Sequence, residues 1–225
     1  MKPEIILALD VDSFDKAKYF VNKLYPKIKI FKVGAVLFTA CGPKIVEYIN
    51  KKGAEVFLDL KYFDIPNTVA QAVRQAVHLK VKMLTLHILG DEEMLRQAKA
   101  AARDEARRAK LPKPLLIGVT VLTSKETNSS DVLTLAKMGL ECGLDGVVCS
   151  VREAKFLRRH IQKKFSMVTP GIRPDKAASD DQKRTATVSE AIRSGSNYLV
   201  IGRPILKAKD PLQAVKAIRA ISSAG

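Results

Sequence analysis

The chain has 225 residues, 47% of them hydrophobic, and carries 39 Lys and Arg against 23 Asp and Glu, a formal net charge of +16. That length and apolar content are enough for a large core and exclude a disordered chain. Cys41, Cys142 and Cys149 lack the spacing of a disulfide framework or a zinc site, and the first apolar run is broken by Asp10 and Asp12. A cytoplasmic protein with reduced thiols, and no signal peptide or membrane span, is therefore expected.

Short apolar runs then alternate with helical patterns. Ile5 to Leu9 is predicted as the first strand, ending at Asp10, with Ser13 and Asp15 near the start of a helix that runs to about Tyr25. Ile30 to Val33 is the second strand; it contains Lys32 and ends near Gly34, and Pro43 opens a helix that stops near Gly53. Glu55 to Leu60 is the third. Val69, Ala72, Val73, Ala76 and Val77 follow at the spacing of one helix face. Met83 to His87 is the fourth strand, before a charged helix from about Asp91 to Ala109 that Pro112 and Pro114 bound. Leu115 to Thr120, Gly146 to Cys149, Ser166 to Thr169 and Tyr198 to Ile201 complete eight strands. Helices are predicted at about Ser130 to Glu141, Arg152 to His160 and Thr187 to Ser194, with a last one carrying Ala214, Val215, Ile218 and Ile221. Eight strand-helix units in a chain near the length of about 250 residues typical of the fold predict an α/β TIM (β/α)8 barrel, one domain over 1–225. An open doubly wound sheet is the alternative, but the glycine fingerprint of a dinucleotide fold is missing after the first strand.

In that barrel, chemistry sits at the C-terminal rim of the strands. Asp10, Lys32, Asp59, Lys61, Asp64, His87, Thr123, Ser124, the stretch from Gly171 to Arg184, Gly202 and Arg203 all fall there. Asp59 and Lys61 are two apart, so strand alternation points both to one side. A plain strand-end ion pair is the competing reading. Asp64 and Thr68 lie one helical turn apart, with Pro66 between them suiting a helix start. Loops after strands seven and eight commonly bind phosphate. A glycine such as Gly202 lets backbone N–H groups approach an anion, and Arg203 can grip one in a fork. Arg173, Lys176 and Lys183 read as a solvated basic loop. Asp10, Thr123 and Ser124 could equally be capping residues, and His87 is as readily a packed histidine as a catalytic one. Asp10, Asp59 and Asp64 suit Mg²⁺ by type, but Lys32 and Lys61 already bring the compensating charge, so no metal is expected. The remaining basic residues, such as Arg96, Arg103 and Arg107, are spread over helices without aromatic interleaving. They read as solvated faces, with no specific nucleic-acid partner. A basic field can still attract an anionic small substrate.

Leu7-Ala8-Leu9-Asp10, Lys32-Val33-Gly34, the run from Asp59 to Thr68, Thr169-Pro170-Gly171-Ile172-Arg173 and Val200 to Ile205 together resemble the orotidine 5'-phosphate decarboxylase family, in order and over nearly the whole chain. Asp180 to Arg184 resembles its phosphate-side loop, whereas Thr187-Val188 replaces a common Thr-Pro pair. The resemblance implies decarboxylation of orotidine 5'-monophosphate to UMP, the last step of de novo pyrimidine synthesis, without metal or organic cofactor. It implies a homodimer in which Asp64 and Thr68 reach the neighbouring site. Lys61 is implied as the cation and proton donor to C6, with Asp59 beside the substrate carboxylate and Lys32 and Asp64 completing a charge network. Asp10 and Thr68 are implied on the ribose, and Thr123 or Ser124 on the pyrimidine edge. Pro170, Gly171, Gln182, Gly202 and Arg203 are implied in substrate binding, the last three of these at the phosphate. A Mg²⁺-dependent decarboxylase of the 3-keto-L-gulonate 6-phosphate type shares the D-x-K-x-x-D core, but has a glutamate metal ligand where this chain has Lys32. A basic RNA-binding protein on an inactive barrel would rest on net charge alone.

Overall fold

A computed structural model describes residues 2–121, 128–174 and 185–224. The strands are β1 (Glu4–Ala8), β2 (Ile30–Gly34), β3 (Glu55–Tyr62), β4 (Met83–His87), β5 (Leu115–Val119), β6 (Gly146–Val148), β7 (Ser166–Thr169), β8 (Ile172–Arg173), β9 (Ala186–Thr187) and β10 (Tyr198–Ile201). Eight of them are parallel and close into a barrel, with β1 paired to both β2 and β10, while β8 and β9 form a separate parallel pair. The larger helices between strands are α1 (Phe14–Leu24), α2 (Ala35–Cys41), α3 (Lys44–Lys51), α4 (Pro66–His78), α5 (Asp91–Ala109), α6 (Ser129–Glu141) and α7 (Val151–His160). Three more follow: α8 (Val188–Arg193), α9 (Arg203–Leu206) and α10 (Pro211–Ala224).

Alternation along the strands builds two cores. Ile6, Ala8, Ile30, Phe57, Met83, Ile117, Val168 and Val200 face inward and fill the barrel. Leu7, Phe31, Val33, Val56, Leu58, Leu84 and Leu86 face outward and pack against helix residues such as Val69, Val73 and Ala76. Both faces are covered, which is why the strands read as apolar runs rather than as alternating patterns. Each buried aliphatic or aromatic side chain contributes roughly 1.5–3 kcal/mol. The helices carry the excess charge outward: Arg96, Arg103 and Arg107 are solvent-exposed.

Most predicted boundaries fall within one residue of those observed, the usual uncertainty of element ends. Besides a 3-10 turn at Ile88–Gly90 and the short α9, three features differ. The segment before Pro43 forms α2, which has no side-chain cap and only Leu37 buried, so it lacks the polar start and apolar stripe that mark a helix in sequence. β3 runs two residues past Leu60 to Tyr62. The short strands β8 and β9 were not anticipated, because two-residue strands that pair with each other over a long separation in sequence leave no periodic pattern.

Candidate active site

Asp10, Lys32, Asp59 and Lys61 come together at the C-terminal mouth. Lys32 is level with Ala8 and Phe57 in the sheet. Its long side chain rises from there to the rim, where Nζ lies 3.4 Å from Asp10 Oδ1 and 3.3 Å from Asp59 Oδ2. The Lys61 ammonium is 3.0 Å from Asp59 Oδ1. Carboxylate and ammonium therefore alternate across three adjacent strands. Asp59 and Lys32 are the buried members, with 12% and 13% of their side-chain surface exposed, against 38% for Lys61 and 59% for Asp10. The network thus runs from solvent into the barrel.

Burial by itself would push the Asp59 pKa up. The charges of Lys32 and Lys61, with hydrogen bonds from Lys61 and Thr85, outweigh it and hold the carboxyl below the ordinary aspartate value. Burial likewise works against the Lys32 charge, but Asp59 and Asp10 hold its pKa above the ordinary lysine value. Both groups are ionised at neutral pH. Burial, and then the nearby Lys61 charge, lower the pKa of His87 at the end of β4. Its Nδ1 is buried without a hydrogen-bond partner among the described residues, and its ring lies 5.5 Å from that of Phe63.

Asp59 and Lys61 do meet, but not through simple strand alternation. Pairing of β3 with β4 is regular at Leu58↔Leu84 and resumes at Tyr62↔Leu86, so four steps on β3 run against two on β4. Lys61 lies in this irregularity with φ 51, in the left-handed region. That conformation costs a non-glycine residue about 1–3 kcal/mol and tends to persist at functional sites.

The cavity above the network has a second, apolar wall formed by Val119, Val148, Val168 and Val200. Pro170, Gly171, Arg173, Gly202 and Arg203 complete its lining. Gly202 has a steric reason to be glycine: a Cβ there would lie 3.1 Å from Asp10 Oδ2 and 3.3 Å from Ala8 Cβ. Arg203 opens α9 directly after it.

Asp64 is placed apart from this set. It is exposed, and its Oδ1 accepts the N–H of Ile65 at 2.7 Å at the entry to α4, which begins with Pro66. Thr68 is exposed on the first turn of that helix. Thr123, Ser124, Gln182, Lys176 and Lys183 lie outside the described residues. The solvated-loop reading of Arg173 is overturned: only 8% of it is exposed, and it lines the cavity from β8. Gly171, with φ 76, turns the chain back so that Ile172 and Arg173 pair with Ala186 and Thr187.

Sequence reasoning also missed Thr85. It is fully buried in β4, donates to Asp59 Oδ1 at 3.0 Å and accepts the Lys61 N–H at 2.8 Å. Its signal was a lone hydroxyl at an inward position of β4, between Leu84 and Leu86. Among the described residues, no group of three or more His, Cys, Asp or Glu side chains is placed to hold a metal ion, and no helix is long and apolar enough to cross a membrane.

Residues 3–218 match the model of the orotidine 5'-phosphate decarboxylase / HUMPS family. Orotidine 5'-phosphate decarboxylase of Trichlorobacter lovleyi is 47% identical, with 96% of this chain and 94% of the relative aligned. That of Saccharophagus degradans is 45% identical over 97% of this chain and 94% of the relative. The crystal structure of orotidine 5'-phosphate decarboxylase from Lactobacillus acidophilus superposes with a TM-score of 0.86 at 35% identity, covering 98% of this chain and 99% of that one.

Proposed function

The chain belongs to the orotidine 5'-phosphate decarboxylase / HUMPS family, and on that premise we propose that it converts orotidine 5'-monophosphate to UMP and CO₂ as a cytoplasmic carboxy-lyase, without metal or organic cofactor. The observation that carries this reading is the alternating Asp10, Lys32, Asp59, Lys61 network on one wall of the cavity.

Loss of CO₂ breaks the bond from C6 to the carboxylate and leaves the electron pair in an sp² orbital in the ring plane. No ring carbonyl takes up that pair by simple π conjugation. A fixed cation is the useful device, because preorganised charge is strong where water is excluded. Lys61 faces the cavity and is that cation. As the pair forms, its ammonium gives a proton to C6, and solvent later restores the proton to the amine. Asp59 holds the Lys61 ammonium in place and stands beside the departing carboxylate, with Lys32 keeping Asp59 ionised. Asp10 takes the ribose. Gln182, Gly202 and Arg203 grip the phosphate, Pro170 and Gly171 also contact the substrate, and Thr123 or Ser124 takes the pyrimidine edge. Grip on the remote phosphate supplies binding energy that orients the reacting ring.

The active form is a homodimer in which Asp64 enters the partner's site to complete its charge network and Thr68 enters it to hold the ribose. Their exposure supports this, as do the exposed apolar neighbours Phe63 (60%) and Ile65 (66%), which a second copy would cover. Mixing inactive Lys61→Ala and Asp64→Ala chains should then restore some activity through hybrid dimers. No recovery would remove the shared site.

The deciding measurement is the ultraviolet loss of orotidine 5'-monophosphate in metal-free buffer, where full turnover with EDTA is expected. No loss of orotidine 5'-monophosphate, together with Mg²⁺-dependent, EDTA-sensitive decarboxylation of a 3-keto sugar phosphate, would favour that metal-dependent enzyme type instead. Lys32, an ammonium where that enzyme type carries a glutamate ligand, argues against it.

A further inference from the structure

Thr85 does not line the cavity, yet its hydroxyl joins the two groups on which the chemistry depends. β3 leaves its ladder with β4 between Leu58 and Tyr62, so the Lys61 N–H cannot follow the regular pattern of strand bonds. The Thr85 hydroxyl takes that N–H at 2.8 Å. A hydroxyl has one proton, and Thr85 directs it to Asp59 Oδ1 at 3.0 Å. One side chain thus pins the backbone of the residue bearing the ammonium and the carboxylate that ammonium pairs with. Threonine suits the task, since branching at Cβ leaves few χ1 states and the fully buried site removes the rest.

We propose that Thr85 is a positioning residue: its hydroxyl holds Lys61 in the left-handed conformation and sets the Lys61 ammonium against Asp59, in register with the reacting carbon. The role rests on the decarboxylase reading above. Without the hydroxyl, the Lys61 N–H is left unpaired and Asp59 loses a charge-assisted bond. Lys61 then relaxes toward ordinary strand geometry, and its ammonium moves. A displacement of about 1 Å at a reacting group costs on the order of a hundredfold in rate.

The test compares full-length Thr85→Val, Thr85→Ser and Thr85→Ala with wild type. Steady-state kcat and KM, the Kd for UMP by calorimetry and the Tm are measured for each. Removing the hydroxyl in Thr85→Val should lower kcat about 10- to 100-fold and leave the Kd for UMP within about threefold. Thr85→Ser should return kcat to within about threefold of wild type. Serine against alanine makes the same one-hydroxyl comparison if the valine variant does not fold. A Thr85→Val kcat within twofold of wild type, or a serine variant no faster than the alanine one, overturns the role and leaves Thr85 as packing. A wild-type chain inactive on orotidine 5'-monophosphate overturns the decarboxylase reading, and the role with it. An active wild type with an unaffected valine variant overturns the role alone.

Discussion

Two halves of the barrel mouth share one strand geometry and carry opposite chemistry. On β1 to β3 and the turn after β1, the inward positions at the rim are Asp10, Lys32, Asp59 and Lys61. On β5, β6, β7 and β10 they are Val119, Val148, Val168 and Val200. The valine side chains themselves offer an anion nothing; Gly171 follows β7, and Gly202 and Arg203 follow β10, just past them. An apolar wall lowers the local dielectric once the cavity is filled, and there an ion pair is worth several times what it is in bulk solvent. The charged half in turn depends on completeness, because a buried charge that loses its partner is penalised more heavily than a methyl group that loses a neighbour.

The largest expected effect is on the charged side. Lys61→Ala should cut kcat by about 10⁴-fold or more, the combined loss of acid catalysis and fixed charge, while UMP still binds in a calorimetric titration. Turnover within tenfold of wild type would place the proton donor elsewhere. Asp59→Asn comes next. It leaves Lys32 and Lys61 facing a neutral group, and kcat should fall about 10²- to 10³-fold, read in the same ultraviolet assay. Arg203→Ala, in the cavity lining after β10, should lower kcat/KM about a hundredfold, chiefly through KM. An unchanged kcat/KM would remove Arg203 from the phosphate. Val168→Ala, on the apolar side, should cost about 2 kcal/mol in denaturant unfolding yet keep kcat within about fivefold. A larger kinetic loss than that of Asp59→Asn would reverse the division of labour.

The smallest effect is the pH dependence. The Asp59 pKa is lowered in the folded chain, so its pairing stabilises fully above the unfolded value of about 3.9. That contribution is lost as pH falls through the lower folded value. Lys32 runs the other way: its pKa is raised, so its contribution is complete below about pH 10 and is lost only as pH rises through the folded value. The Tm difference between wild type and Asp59→Asn should therefore be flat from pH 5 to 9 and close only below about pH 4. A gap that closes near neutrality would show that Asp59 is not held ionised by its neighbours.

The charged half was largely legible before the structure. Its members lie near or just past the ends of apolar runs; the spacing of Asp59 and Lys61 marked them as a pair, although the structure joins them through the irregularity at Lys61 rather than by alternation. The apolar half was not, because a valine that lines a cavity and a valine that fills a core look alike in sequence. Arg173 misled because a basic residue in a polar stretch usually meets water, whereas here a left-handed Gly171 folds it onto the barrel.

By itself the sequence determined the alternation of strands and helices, the barrel, and which polar residues reach its rim. Those follow from periodicities of two and 3.6 residues and from residues close in the chain. Tertiary structure alone decided the left-handed turn at Lys61, the valine wall opposite, and the bridge from Thr85, which lies 24 residues beyond Lys61. These arise from register between strands, and register depends on how distant segments pack.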